Sequence, residues 1–261
     1  MQNIGDLTVD QILCFLMAFI RIATMVAVFP VLGSRNAPVM VKAGLSLILA
    51  IILFPLIPTG VIELPTGLLS FSIVVAKEML IGLILGYAGS LIFAVLNFAG
   101  RMLDQQMAFA MATMVDPVTD SPSTLIAQLN IILFSIIFLL IGGHHMFIEA
   151  LAYSFTAINI TNVHFAAGPT VAKLTQMTAD IFVLGFRMAS PVFVSLLITD
   201  ISLGIIARTV PQMNVFIVGL PLKIGLGLVL LIICLPSFVN FFEGMVLQLK
   251  KDVYTLIQFM T

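Results

Sequence analysis

Tryptophan is absent from this chain of 261 residues, histidine occurs three times, cysteine twice, and only 9% of the residues are charged. A soluble domain carries roughly 25% charged residues, so this shortage excludes an ordinary water-facing surface. Cys14 and Cys234 both lie in apolar runs, where a thiol behaves as a small hydrophobe, and neither a disulfide nor a metal pair follows. A net charge of -1 leaves no basic surface for nucleic acid. HExxH, CxxC and a Walker lysine loop are all missing, and the acidic residues are scattered rather than paired beside a histidine. No enzyme and no cofactor is expected. The acidic start MQNIGDLTVD lacks a basic n-region, which argues against a cleaved signal peptide.

What fills the chain is hydrophobic, 61% of it, with a mean hydropathy of +1.22. These values describe an integral membrane protein read as one domain, 1–261, with room for about six spans of roughly 20 residues. Apolar runs cover 12–32, 43–57, 68–99, 125–143, 171–210 and 223–249, and the second is short for a full span. Several runs hold charge: Arg21 in the first, Lys77 and Glu78 in the third, and Lys173, Asp180, Arg187 and Asp200 in the fifth. A charge at bilayer depth costs a few kcal/mol and must face protein or water, so these residues are expected to form buried ionic contacts. Lys173, Asp180 and Arg187 recur every seven residues and predict one charged stripe. Ser190-Pro191 predicts a kink or a division in the same run.

Gly82, Gly86 and Gly89 combine GxxxG spacing with a further step of three, which predicts helix-packing contacts at which two backbones touch. His144 and His145 are adjacent and project in different directions on a helix, the wrong geometry for a metal pair. Basic connectors at Arg35/Lys42 and Arg208/Lys223 suit the cytoplasmic side, yet strict alternation then leaves Lys250 and Lys251 outside. Covering of many helix faces by other subunits accounts for this better than a lipid-surrounded monomer.

The organising stretch is 100–124, GRMLDQQMAFAMATMVDPVTDSPST, a polar interruption between two apolar runs. If it is helical, Met107, Met111 and Met114 form one stripe at i, i+4 and i+7, with small Ala108, Ala110 and Ala112 beside it. Asp116-Pro117 is expected to stop that helix at a chain reversal. The thioethers have two readings, gap filling in a core or a deformable seal.

Three blocks carry a family resemblance: Pro30-Val-Leu-Gly33 with Pro38, Lys42 and Gly44; Gly100 with Gln106-Met107, Met111-Ala112 and Asp116-Pro117; and Arg208 with Pro211-Gln212, Asn214-Val215-Phe216, Gly219 and Pro221. Lys77-Glu78 with Gly82 and Gly86 is a looser fourth. In order and spacing they resemble the FliR family, the flagellar member of the type III secretion export-gate proteins, over nearly the whole chain. Arg101 stands where many of that family carry Glu, and Ala108 where many carry Gly.

The resemblance implies an all-α, membrane-associated fold of kinked helical hairpins, a FliP-like part to about 170 fused to a FliQ-like part from about 171. Such parts assemble into a helical hetero-oligomeric cone in the bacterial inner membrane, within the flagellar basal body. The implied function is a noncatalytic structural and gating subunit of the channel that exports unfolded flagellar proteins. Implied partners are FliP-like and FliQ-like subunits, FlhB, FlhA, the exported proteins and membrane lipid. The family's pore-closing loop maps onto Met107, Phe109, Met111, Met114, Val115, Asp116 and Pro117. Two rival readings are an injectisome subunit of the same fold and a small-solute or proton-coupled transporter using Arg21, Asp180 or Asp200.

Overall fold

The computed structural model describes residues 9–30, 38–57, 67–109, 125–158, 166–212 and 214–261. Met111, Met114, Val115, Asp116 and Pro117 lie outside these residues. Among the described residues the regular structure is entirely helical: α1 (Val9–Val28), α2 (Val39–Leu53), a 3-10 turn (Phe54–Leu56), α3 (Leu68–Gln106), α4 (Leu125–Leu140), α5 (Gly143–Ala157), α6 (Ala167–Thr209) and α7 (Val215–Gln258). Among the described residues, five helices are long and apolar enough to cross a membrane. The pair α4 and α5, joined through Gly142 at φ 74°, supplies a sixth span if the two count as one.

The 43 residues of α6 and the 44 of α7, at ~1.5 Å per residue, each run about 65 Å. That is about twice the ~30 Å hydrocarbon core of a bilayer. Two compact units share these long helices: Met1–Leu91, Gly142–Met177 and Leu247–Thr261 form one, and Ile92–Ile141 with Thr178–Val246 forms the other.

In the first unit α1 lies on α3 at backbone contact. A Cβ on Gly82 would run into the Arg21 carbonyl and the Thr24 hydroxyl, one on Gly86 would sit 2.7 Å from the Met25 carbonyl oxygen, and one on Gly89 would sit 2.5 Å from the Phe29 ring. Thr24 turns its hydroxyl onto its own helix, donating to the carbonyls of Ile20 and Arg21 at 2.9 Å, so no polar group is stranded in the crossing. Phe29 then meets Phe147 of α5, with ring centroids 4.5 Å apart.

In the second unit small residues again admit large ones. Gly185 of α6 receives the Phe98 ring, and Gly100 of α3 faces Ala127 at the start of α4. Phe93 and Phe138 pack edge to face at 5.8 Å, and Phe134 reaches Phe242 of α7 at 4.9 Å.

The helices depart from sequence expectation in three places. The second run is a full 18-residue span, Val39–Leu56, because the helix starts directly after Pro38 and takes in Lys42 rather than leaving it in a connector. At Ser190-Pro191, where a kink or a division is expected, α6 is not divided and continues through Pro191. The missing proline N–H releases the Arg187 carbonyl, four residues back, and the Ser190 hydroxyl donates to that same oxygen at 2.9 Å.

The third departure concerns the methionine stripe. α3 ends at Gln106, and Ala108 adopts the left-handed conformation with φ 63°. A left-handed residue cannot continue a right-handed helix, so the helix that leads into Met107 is interrupted directly after it, while Met111 and Met114 lie outside the described residues. The expected stop at Asp116-Pro117 lies outside the described residues.

Candidate functional site

The C-terminal end of α3 gathers the polar and thioether chemistry of the second unit. Its last turns read Gly100-Arg-Met-Leu-Asp104-Gln-Gln106-Met107, so Gly100 and Asp104 fall on one face, four residues apart. Asp104 is fully buried, and its two carboxylate oxygens accept the backbone N–H groups of Ile126 at 3.0 Å and Ala127 at 3.1 Å. Those donors belong to the first turn of α4, where a helix leaves N–H groups without internal partners and favours negative charge.

Gln106 faces the α6–α7 hairpin. Its Nε2 donates to Oδ2 of Asp200 at 2.8 Å, and Nζ of Lys223 approaches both oxygens of that carboxylate, at 2.8 and 3.0 Å. Three helices are thereby joined through one acid.

Met107 is fully buried and fills a notch in α7. A Cβ on Gly227 would lie 2.6, 2.8 and 2.9 Å from its Cε, Cγ and Sδ, so any side chain there requires the thioether to move. Met107 therefore anchors the start of the central stretch rather than projecting from it. Phe109, two residues on and past the left-handed Ala108, is half-buried.

The first unit holds a second polar cluster, wholly inside the protein. Arg21 donates from Nε and Nη2 to the two oxygens of Glu78 at 2.6 and 2.9 Å, while Nη1 donates to the Ser154 carbonyl at 2.9 Å and its hydroxyl at 3.1 Å. The guanidinium carbon also lies 4.4 Å from the centre of the Phe155 ring. Both charged side chains are fully buried, and the fork geometry of arginine satisfies its donors around a planar acid. This is what a buried pair requires if desolvation is to be offset.

The remaining charges separate. Lys173 bridges to Asp252 at 2.8 Å in the first unit. Asp180 and Arg187 belong to the second unit, the first half-buried and the second exposed, and neither forms an ion pair among the described residues. The seven-residue stripe is thus not one network. Lys77 is half-buried beside Glu78, and the His144 and His145 rings, expected to diverge, lie tilted at 37° with centroids 4.0 Å apart.

Sequence reasoning missed Asp104, Lys223 and Gly227 as site residues. Asp104 falls inside the stretch 100–124, whose polarity reads as an interruption between helices, whereas α3 runs on to Gln106. The available signal was the Gly-xxx-Asp spacing, a small residue and an acceptor on one helix face.

Similarity to known proteins is broad. Residues 12–249 match the family described as bacterial export proteins, family 1. The flagellar biosynthetic protein FliR of Bacillus subtilis is 36% identical over 232 residues, covering 87% of this chain and 88% of that protein. FliR of Caulobacter vibrioides is 30% identical, covering 88% of this chain and 91% of its own. The surface presentation of antigens protein SpaR of Shigella sonnei is 28% identical over 173 residues, covering 64% and 66%.

Proposed function

The chain belongs to the bacterial export proteins of family 1, the FliR family of type III export gates, and from that membership we propose that it is a structural and gating subunit of the flagellar protein-export channel. Its family and apolar helices make it an integral membrane component of the flagellar export apparatus. Beyond that, the proposed channel passes unfolded flagellar subunits across the bacterial inner membrane. FliP-like and FliQ-like chains complete it in a helical cone, with FlhB and FlhA alongside. The part to about residue 170 is FliP-like and the α6–α7 hairpin is FliQ-like.

The observation that carries the gating role is the seating of Met107 against Gly227, immediately before the left-handed Ala108 and Phe109. It fixes the point where the chain leaves α3 and enters the methionine-rich stretch. Phe109, Met111, Met114 and Val115, turned back by Asp116-Pro117, then crowd an apolar constriction that excludes water and ions by dewetting. Unbranched thioethers yield to a passing polypeptide.

Deleting 109–115, or changing Met111 and Met114 together to Gly, tests this in the co-expressed complex. Assembly is retained and the membrane becomes leaky to ions and small molecules. Wild-type conductance in an assembled variant sinks the seal.

Similarity to SpaR supports one second reading, an injectisome export subunit of the same fold. Complementation of motility in a strain lacking its own flagellar copy separates the two. The coupled-transporter reading is weakened, because Arg21 and Asp200, two of its three candidate residues, are held in ion pairs.

A further inference from the structure

Asp104 supplies to α4 what a helix normally receives from the residue just before it. Ser, Thr, Asp or Asn at that position accepts an N–H of the first turn. Here the acceptor arrives from another helix, 22 and 23 residues earlier in the chain, and engages two N–H groups at once. Gly100 completes the seat, since a Cβ there would come within 2.8 Å of the Ala127 nitrogen and push α4 off the carboxylate. Asp104 is fully buried and lies three residues before Met107, so one side chain joins the turn that holds Met107 to the first turn of α4.

We infer that Asp104 is the positioning residue for Met107 and Phe109: by tying the last turn of α3 to the first turn of α4, it holds both ends of the intervening chain at a fixed separation. Displacement of α4 is then carried by α3 as well and does not draw Met107 out of the Gly227 notch. The inference rests on the reading of the central stretch as the seal. The carboxylate acts on that seal only through the helix ends.

The test compares Asp104→Asn and Asp104→Ala in the complex co-expressed with FliP-like and FliQ-like chains, using hydrogen exchange resolved to single amides and ion conductance per assembled complex. Asparagine keeps the volume and one acceptor but turns an NH2 group towards the second N–H. Exchange at Ile126 and Ala127 is expected to rise roughly tenfold, the loss of about one net hydrogen bond, while Phe134 further along α4 is unchanged. Conductance is expected to rise several-fold at unchanged complex yield. If the alanine variant does not assemble, the asparagine variant decides.

Unchanged exchange at the two amides overturns the inference. Raised exchange with wild-type conductance also overturns it, reducing Asp104 to a local cap. Deletion of 109–115 without leakage brings down the seal reading alone, and exchange at Ile126 and Ala127 then still decides whether Asp104 ties the helix ends.

Discussion

Arg21 and Glu78 are joined by two hydrogen bonds across 57 residues of sequence, and neither side chain is exposed. Removing one partner strands the other charge among apolar groups, which costs about 3–5 kcal/mol. Glu78→Gln is therefore expected to lower the melting temperature and yield of the complex sharply. Replacing both, as Arg21→Met with Glu78→Leu, leaves no orphan charge and recovers most of the loss. Melting curves of the three variants in detergent decide it, and a double variant as unstable as the single one refutes the orphan-charge account.

Gly82 and Gly86 permit α1 and α3 to touch backbone to backbone. Any side chain at Gly82 meets the Arg21 carbonyl, which belongs to a rigid helix and has nowhere to go. Gly82→Ala and Gly86→Leu are expected to separate the helices, pull Arg21 off Glu78 and abolish assembly, although either change improves intrinsic helix propensity by about 1 kcal/mol. Complex yield by size exclusion is the measurement. Normal yield from both variants would show that the contact carries little.

The glycine spacing is legible from sequence as a site of close approach, because GxxxG depends on a local period. Which helix lies against it is not legible, since Arg21 of α1 is 57 residues away from the glutamate that it pairs with. The same limit hides Asp104, whose partners are backbone groups of α4 with no side-chain signature. Whether Pro191 divides its helix or lets it continue is not legible either, because the Arg187 carbonyl it releases is taken up by the Ser190 hydroxyl. The two units are also invisible in sequence, as α3, α6 and α7 are each uninterrupted while contributing to both.

Ala108 occupies the position just past a helix end where glycine is usual, with φ 63°. A Cβ in that conformation costs about 1 kcal/mol. Ala108→Gly relieves it, offset in part by the greater freedom of glycine in the unfolded chain, and is expected to stabilise the protein by about 0.5 kcal/mol. A small rise in melting temperature with unchanged complex yield is the expected result. A fall in melting temperature would mean that the alanine methyl contributes packing that outweighs the strain.

Gly227 tests the anchor independently of any residue in the central stretch. Leucine at this position strengthens α7 as a helix, glycine being about 0.8–1.0 kcal/mol worse than alanine in a helix interior, so a defect cannot be assigned to a weakened helix. The new side chain would occupy the volume that Cγ, Sδ and Cε of Met107 fill. Met107 is then expelled and the chain leaving α3 loses its seat. Gly227→Leu is expected to assemble and to leak ions, and Met107→Ala in the same chain should largely restore tightness, because the leucine refills the notch from the other side. Conductance of the single and double variants, per assembled complex, measures the compensation. A leaky double variant would show that the thioether itself is needed, and a tight single variant would show that the notch does not hold the seal in place.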